Sequence, residues 1–211
     1  MTEQPPKTKK AEQSETTRAA LITAARALFA EKGFADTSTE EIVQRAQVTR
    51  GALYHHYRDK EDLFRAVFEA VEAELAGRLM RAATLGKNPL DQLQRGFAAF
   101  LDACLERDVQ QIVLIDGTSV LGWDEWQRID AQYMFGLIDA GLHLAIEARQ
   151  IDDQPTDWLG HLLLGAASQA GLMVARAKHP RRARTVAGES LQRLLDGLRR
   201  RSTPAKRTKK R

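Results

Sequence analysis

The organisation of the chain can be read outward from residues 37–64, TSTEEIVQRAQVTRGALYHHYRDKEDLF. Thr37 lies three residues before Glu40, which is the spacing of a capping box, so a short helix is predicted from about Thr39. Thr49 then has the residue type and the position of an N-cap for a second short helix. Two short helices joined by so brief a turn are typical of a helix-turn-helix module.

Amphipathic helical patterns lie on both sides of this stretch. Before it, apolar residues recur at helical spacing up to a stop at Gly33, and after it a long pattern begins at Lys60. The rest of the chain continues as helical patterns, without the alternation or hairpin turns that indicate strands. We therefore predict an all-α protein, with a three-helix DNA-binding domain over 16–62 and a second helical domain over 63–198.

The two ends of the 211-residue chain differ in composition from the rest. Residues 1–15 are polar and contain a Lys-rich run, and they are predicted to be a disordered arm. Residues 199–211 hold 8 basic residues and no acidic one, and they are predicted to be a disordered basic tail. This tail accounts for the net charge of +4, because residues 1–198 carry a net charge of −4. DNA binding must therefore be argued from particular residues and not from the overall charge.

Several classes of protein are disfavoured by what the sequence lacks. Cys104 is the single cysteine, which excludes an internal disulfide framework. No run of 18 apolar residues and no apolar signal-peptide core is present, so a cytoplasmic protein without membrane contact is predicted. The motifs of hydrolases, phosphate-binding loops and zinc proteases are missing as well. We expect no enzyme activity, no cofactor and no metal.

The helix that follows Thr49 has a face suited to a DNA groove. At 100° per residue, Leu53 points to the side opposite Gly51 and His55, with Arg50 beside them. The small residue permits close approach, and an arginine can pair with guanine by two hydrogen bonds, worth about 1–3 kcal/mol of discrimination. Side chains with hydroxyl groups or cationic nitrogen suit phosphate oxygens, and these are Thr39, Tyr54, His56 and Lys60.

Residues 37–64 resemble the DNA-binding signature of the TetR family of transcriptional regulators, within a match that spans about 17–65. Two positions depart from the family pattern: Gln47 stands where a turn glycine is usual, and Thr39 where many members have an apolar residue. The resemblance implies phosphate contacts at Thr39, Tyr54, His56 and Lys60, and base-facing positions at Thr49, Arg50, Gly51 and His55.

The resemblance also implies the function of the second domain. Family members are homodimers whose last two helices form a four-helix bundle, and whose helical C-terminal domain binds a small effector. A repressor that leaves a palindromic operator when the effector binds is therefore expected, with half-sites about 34–36 Å apart. The alternative is an effector-independent architectural DNA-binding protein, which would show weak sequence preference and a steep dependence on salt.

Aromatic residues and a methionine in the second domain are candidates for the effector pocket. The GWDEW stretch over 122–126 is the most distinctive of these segments. Tryptophans and aromatic stripes of this kind are more often core or dimer-interface residues, so both roles stay open. No strongly polar cluster is evident, which favours an apolar or aromatic effector. The candidates are Phe97, Phe100, Trp123, Trp126, Tyr133 and Met134.

Overall fold

The computed structural model describes residues 9–200, and these residues form helices, with one isolated β-bridge between Ile151 and Arg199. The all-α prediction is confirmed. The N-terminal helices are α1 (Lys9–Lys32), α2 (Thr39–Ala46), α3 (Arg50–His56) and α4 (Lys60–Ala83). The later elements are α5 (Pro89–Ala103), a first π-helical segment (Val109–Asp116), α6 (Gly117–Leu121), α7 (Trp123–Asp130), a second π-helical segment (Ala131–Phe135), α8 (Gly136–Glu147), α9 (Thr156–Ala175) and α10 (Pro180–Gly197).

Helices α1 to α3 pack with the start of α4 around a small apolar core. Leu21, Phe29, Ile42, Leu53 and Phe64 are all completely buried in it. Because Leu53 is the buried residue of the seven-residue helix α3, the opposite side of that helix faces solvent. Helix α4 then continues into the second domain, where α5 packs against α4, α8, α9 and α10.

Each end of the chain that was predicted to be disordered includes residues that are ordered in the structure. Helix α1 begins at Lys9 and not near residue 16, since residues 9–15 (KKAEQSE) are mostly good helix formers that extend an anchored helix. At the other end, the backbone N–H of Arg200 donates to the carbonyl of Gln150 at 2.7 Å, which places the first residues of the predicted tail against the domain. The remainder of the arm and of the tail lies outside the described residues.

The N-cap of α2 lies one residue later than the sequence spacing suggested. Ser38 accepts a hydrogen bond from the backbone N–H of Glu41, whose carboxylate accepts one from the N–H of Ser38. Thr37 is instead buried and donates its hydroxyl to the carbonyl of Gly33 at 2.7 Å. Both pairs have capping-box spacing, and the burial of Thr37 leaves the role to Ser38. The predicted N-cap at Thr49 is confirmed by a 3.1 Å bond from the N–H of Ala52.

The turn between α2 and α3 is made by a strained residue. Gln47 has φ 55° and ψ 38°, a left-handed conformation that favours glycine. Its N–H still donates to the end of α2, and the N–H of Val48 donates to the carbonyl of Val43 at 3.1 Å. The turn therefore keeps the usual geometry of a helix end without its usual residue.

Replacing Gln47 by glycine is expected to stabilise the protein by about 0.5–1 kcal/mol, because the left-handed strain is removed at a modest cost in chain entropy. The unfolding midpoint in a thermal melt should rise by about 1–4 °C. The same change at Gln44, an exposed residue inside α2, is the matched control and should lower the midpoint. A fall at both positions would contradict the strain assigned to Gln47.

Candidate DNA-binding surface and effector cavity

The outward side of α3 and its neighbouring residues on α2 and α4 form the candidate DNA-binding surface. The base-facing candidates are all exposed: Thr49, Arg50, Gly51 and His55. Among the phosphate candidates, Tyr54 is exposed, whereas Thr39, His56 and Lys60 are partly buried. All eight predicted residues thus lie on α2, on α3 with its N-cap, or at the first residue of α4. Contact with DNA stays a prediction for each of them.

Arg50 is held by weak contacts on this surface. Its Nη1 lies 3.2 Å from Oε1 of Glu40, and its guanidinium lies 5.5 Å from the ring centre of Tyr54. The Arg50 side chain is 66% exposed, and an ion pair so exposed contributes about 0–1 kcal/mol. Little free energy is therefore needed to release the guanidinium toward a base edge.

Lys60 has a structural role that the sequence did not reveal. Its ammonium donates to the carbonyls of Phe34 at 2.8 Å and Thr37 at 2.9 Å, and it lies 4.1 Å from the centre of the Phe34 ring. These contacts fasten the loop between α1 and α2 to the beginning of α4. An ammonium has three N–H donors, so one is left for the predicted phosphate contact.

His56 is predicted to meet phosphate as a neutral ring. Partial burial lowers its pKa, and the nearby charges of His55 and Arg18 lower it further. A neutral imidazole donates one hydrogen bond, which is enough for a phosphate oxygen but adds no charge.

The DNA-binding domain is joined to the second domain by polar contacts as well as by α4. The backbone N–H of Phe34 donates to Oδ2 of Asp116 at 2.8 Å, at the end of the first π-helical segment. At the other end of that segment, Arg26 of α1 donates to Asp108, and Arg107 donates to the carbonyl of Ala30 at 2.9 Å. The segment is therefore bound to α1 at its beginning and to the loop after α1 at its end.

The second domain contains a largely apolar cavity of about 750 Å³, lined by residues of α4, α5, α6, α7, α8 and α9 and of both π-helical segments. Five of the six predicted pocket residues line it, namely Phe97, Phe100, Trp123, Trp126 and Met134. Tyr133 does not line it. Phe135, which the sequence prediction omitted, lines the cavity instead.

Two carboxylic acids in this cavity were also missed. Glu72 of α4 is 1% exposed, and its Oε2 is buried without a hydrogen-bond partner. Burial, together with the smaller effect of the nearby charge of Asp130, raises the pKa of Glu72 to about 8. Asp130 is 5% exposed, and burial raises its pKa to about 6, opposed by His161. The indole N–H of Trp126 is likewise buried without a partner.

The outer faces of α9 and α10 carry exposed apolar side chains at helical spacing. On α9 these are Trp158, Leu162 and Met173, with 76%, 69% and 64% of each residue exposed. On α10 they are Val186 and Leu194, at 57% and 55%. We call these five residues the α9/α10 face. A group of large exposed apolar side chains on neighbouring helices is typical of a surface that binds a partner.

Helix α9 has the length and the composition of a membrane-spanning helix. The sequence patterns predicted no such helix, because no run of 18 residues is apolar throughout. Helix α9 has 20 residues and a hydropathy of 1.3, and 28% of the residues in that window are buried. Its leucines and alanines raise the hydropathy, while interspersed glycines and polar residues interrupt any such run. A helix that packs in a core on one side and carries the α9/α10 face on the other passes the same test, so the feature is weak evidence for a membrane.

An exposed recognition helix in a helix-turn-helix domain, joined to a helical domain with a cavity, defines a DNA-binding regulator. The family model "Bacterial regulatory proteins, tetR family" matches residues 21–67, and "Tetracyclin repressor-like, C-terminal domain" matches residues 90–198. The chain therefore belongs to the TetR family of transcriptional regulators. The resemblance found in the sequence is confirmed, as is the prediction that the chain is not an enzyme.

Individual relatives agree with this assignment. The chain is 29% identical over 154 residues to the Transposon Tn10 TetC protein of Escherichia coli, covering 73% of this chain and 78% of that protein. It is 35% identical over 105 residues to the HTH-type transcriptional repressor BepR of Brucella suis, covering about half of each chain, 49% and 50%. A solved TetR-family transcriptional regulator from Pectobacterium atrosepticum is 30% identical, with a TM-score of 0.79 over 93% of this chain and 100% of that one.

Proposed function

We propose that the protein is a homodimeric repressor that binds a palindromic operator when empty and leaves it when a small molecule enters the cavity of each subunit. The observation that carries this proposal is the position of the cavity along α4. Glu72, Leu75 and Leu79 line the cavity, and the same helix begins at Lys60 against the DNA-binding domain. A ligand that shifts α4 would therefore also shift the recognition helix.

A second path from the cavity to the DNA-binding domain runs through the first π-helical segment. Val113 and Leu114 line the cavity, while Asp116 of the same segment holds the N–H of Phe34. Movement of this segment on ligand binding would therefore displace the loop between α1 and α2, which Lys60 also contacts. Release of DNA requires only that the ligand bind the DNA-incompetent arrangement more tightly than the other.

The α9/α10 face supports the homodimer. Two copies related by a twofold axis would bring their α9 and α10 helices together and cover the five exposed apolar side chains. Such a dimer would present two α3 helices to successive major grooves, which is why a palindromic site is expected.

Selection of bound sequences from a random duplex pool, at near-physiological salt, tests the proposal. A palindromic motif with half-sites about one helical turn apart is the expected result. The selected duplex, labelled for fluorescence anisotropy, then serves to find compounds that release the protein. A pool without an enriched motif would favour the architectural alternative, and a motif that no cavity ligand affects would overturn the ligand response.

Removing the hydroxyl of Tyr54 is expected to weaken operator binding evenly across sequences. Tyr54→Phe loses one hydrogen bond to phosphate per half-site, about 1 kcal/mol each, or roughly a 30-fold loss for a dimer. The slope of affinity against salt should not change, because tyrosine neutralises no phosphate charge. Tyr133→Phe, in the second domain, is the control and should bind as the wild type does. If Tyr54→Phe binds the operator as tightly as the wild type, the hydroxyl of Tyr54 makes no contact with phosphate.

A further inference from the structure

The two buried carboxylic acids in the cavity give it a chemical character beyond its apolar walls. Among the described residues that line the cavity, the titratable side chains are Glu72, Asp130 and His161, and no lysine or arginine lies with them. An anionic effector would bring a third acidic group into a space of low polarity, without a fixed cation to meet it.

The unpartnered oxygen of Glu72 points to a missing hydrogen-bond donor. A buried carboxyl oxygen without a partner is costly, and native proteins rarely leave one so unless a ligand or water completes the bond. Glu72 lies on α4 between Phe68 and Leu75, on the apolar side of the helix, and its side chain lines the cavity. A ligand group that donates to Oε2 would remove this cost.

Asp130 indicates that the missing hydrogen-bond donor is cationic and not neutral. Its carboxyl is buried at the end of α7 and lines the same cavity, and at neutral pH it is mainly ionised because its pKa is raised only to about 6. A buried negative charge is best offset by a positive one, and His161, the other titratable lining residue, is half exposed. The aromatic walls suit a cation as well, since Trp123 and Trp126 stack with ring centres 5.4 Å apart at the cavity.

We propose that the effector is a lipophilic amine, with its ammonium group on Glu72 and Asp130 and its apolar body among the aromatic side chains of the cavity. This inference rests on the proposed function, because it names the chemical class of the ligand that the repressor would sense.

Matched pairs of amines and alcohols test the inference directly. The probes are 2-phenylethylamine, 2-(1-naphthyl)ethylamine and 3,3-diphenylpropylamine, each compared with the alcohol of the same skeleton by isothermal titration calorimetry on the full chain. For the skeleton that fits best, the amine should bind at least 10-fold more tightly than the alcohol. Equal affinity of the two, or no binding by any amine, would overturn the inference.

Glu72→Gln keeps the shape of the side chain and removes its ability to carry charge. The preference for the amine should fall several-fold without disappearing, because the ionised Asp130 remains in the cavity, while the affinity for the alcohol stays unchanged. Glu69→Gln is the matched control, because Glu69 lies on the same helix but outside the cavity, near Arg128. If Glu72→Gln keeps the full preference for the amine, Glu72 does not bind the ammonium group.

Proton release provides a test on the wild-type protein alone. At pH 7 the empty site holds Glu72 mainly as the neutral acid, and pairing with an ammonium should ionise it. Calorimetry in buffers of different ionisation enthalpy should therefore show close to one proton released per amine and none per alcohol. Since binding releases a proton, the affinity for the amine should rise as the pH is raised from 6 to 8. Amine binding without proton release would contradict the assigned role of Glu72.

The outcome for operator release separates this inference from the proposed function. If an amine binds through Glu72 but leaves the selected duplex bound, the ligand class stands and the ligand-responsive repressor fails. If only uncharged compounds bind the cavity and release the duplex, the repressor stands and the ligand class fails.

Discussion

Arg50→Ala is expected to cause a large and position-specific loss of operator binding. A bidentate contact between arginine and guanine is worth about 1–3 kcal/mol, so a symmetric dimer with two copies should lose about 2–6 kcal/mol. The loss should be confined to one base-pair position in each half-site, because alanine no longer distinguishes the base there. Repeating the duplex selection with the variant would show that position becoming degenerate.

The control for Arg50 is an arginine in the same electrostatic setting but far from α3. Arg193 of α10 is 79% exposed and lies 3.6 Å from Glu189, much as Arg50 pairs with Glu40. Arg193→Ala should leave both affinity and motif unchanged. Uniform weakening by Arg50→Ala, with every position of the motif retained, would mean that the residue contacts phosphate and not a base edge.

The DNA-binding domain could be predicted from the sequence because its signals are local. The N-cap at Thr49, the buried side of α3 at Leu53 and the stop at Gly33 each depend on neighbours within one or two helical turns. The cap at Thr37 was wrong by one residue for the same reason, since two overlapping pairs obeyed one spacing rule. Only the burial of Thr37 distinguishes them, and burial depends on the packing of α1 and α4.

The cavity could be predicted only in part, because it depends on contacts between distant segments. Glu72 was not predicted from the sequence as a cavity residue, because it is one of many charged residues on a long helix. A signal was nevertheless present: Glu72 lies four residues after Phe68 and three before Leu75, on the apolar stripe of α4. The burial of its carboxyl depends on the packing of α4 against the second π-helical segment, which begins directly after Asp130, and no local rule contains that packing.

Leu162→Arg is expected to separate the dimer into monomers. Leu162 is 69% exposed on α9, so an arginine at this position can be solvated in the monomer and should leave its stability nearly unchanged. In a twofold dimer the α9/α10 face would bury the guanidinium without a partner, and each interface would contain two copies. Light scattering coupled to gel filtration should show a monomer at concentrations where the wild type is a dimer.

Operator binding should fall with the dimer. A monomer contacts one half-site only and loses the gain in effective concentration that links the two, which is commonly 100-fold or more, on the order of 10²–10⁴. Leu85→Arg is the matched control, because Leu85 is equally exposed, at 72%, but lies in the turn after α4 and outside the α9/α10 face. If Leu162→Arg stays dimeric with full operator affinity, the α9/α10 face is not the dimer interface. The exposed apolar side chains of α9 and α10 would then need a different partner.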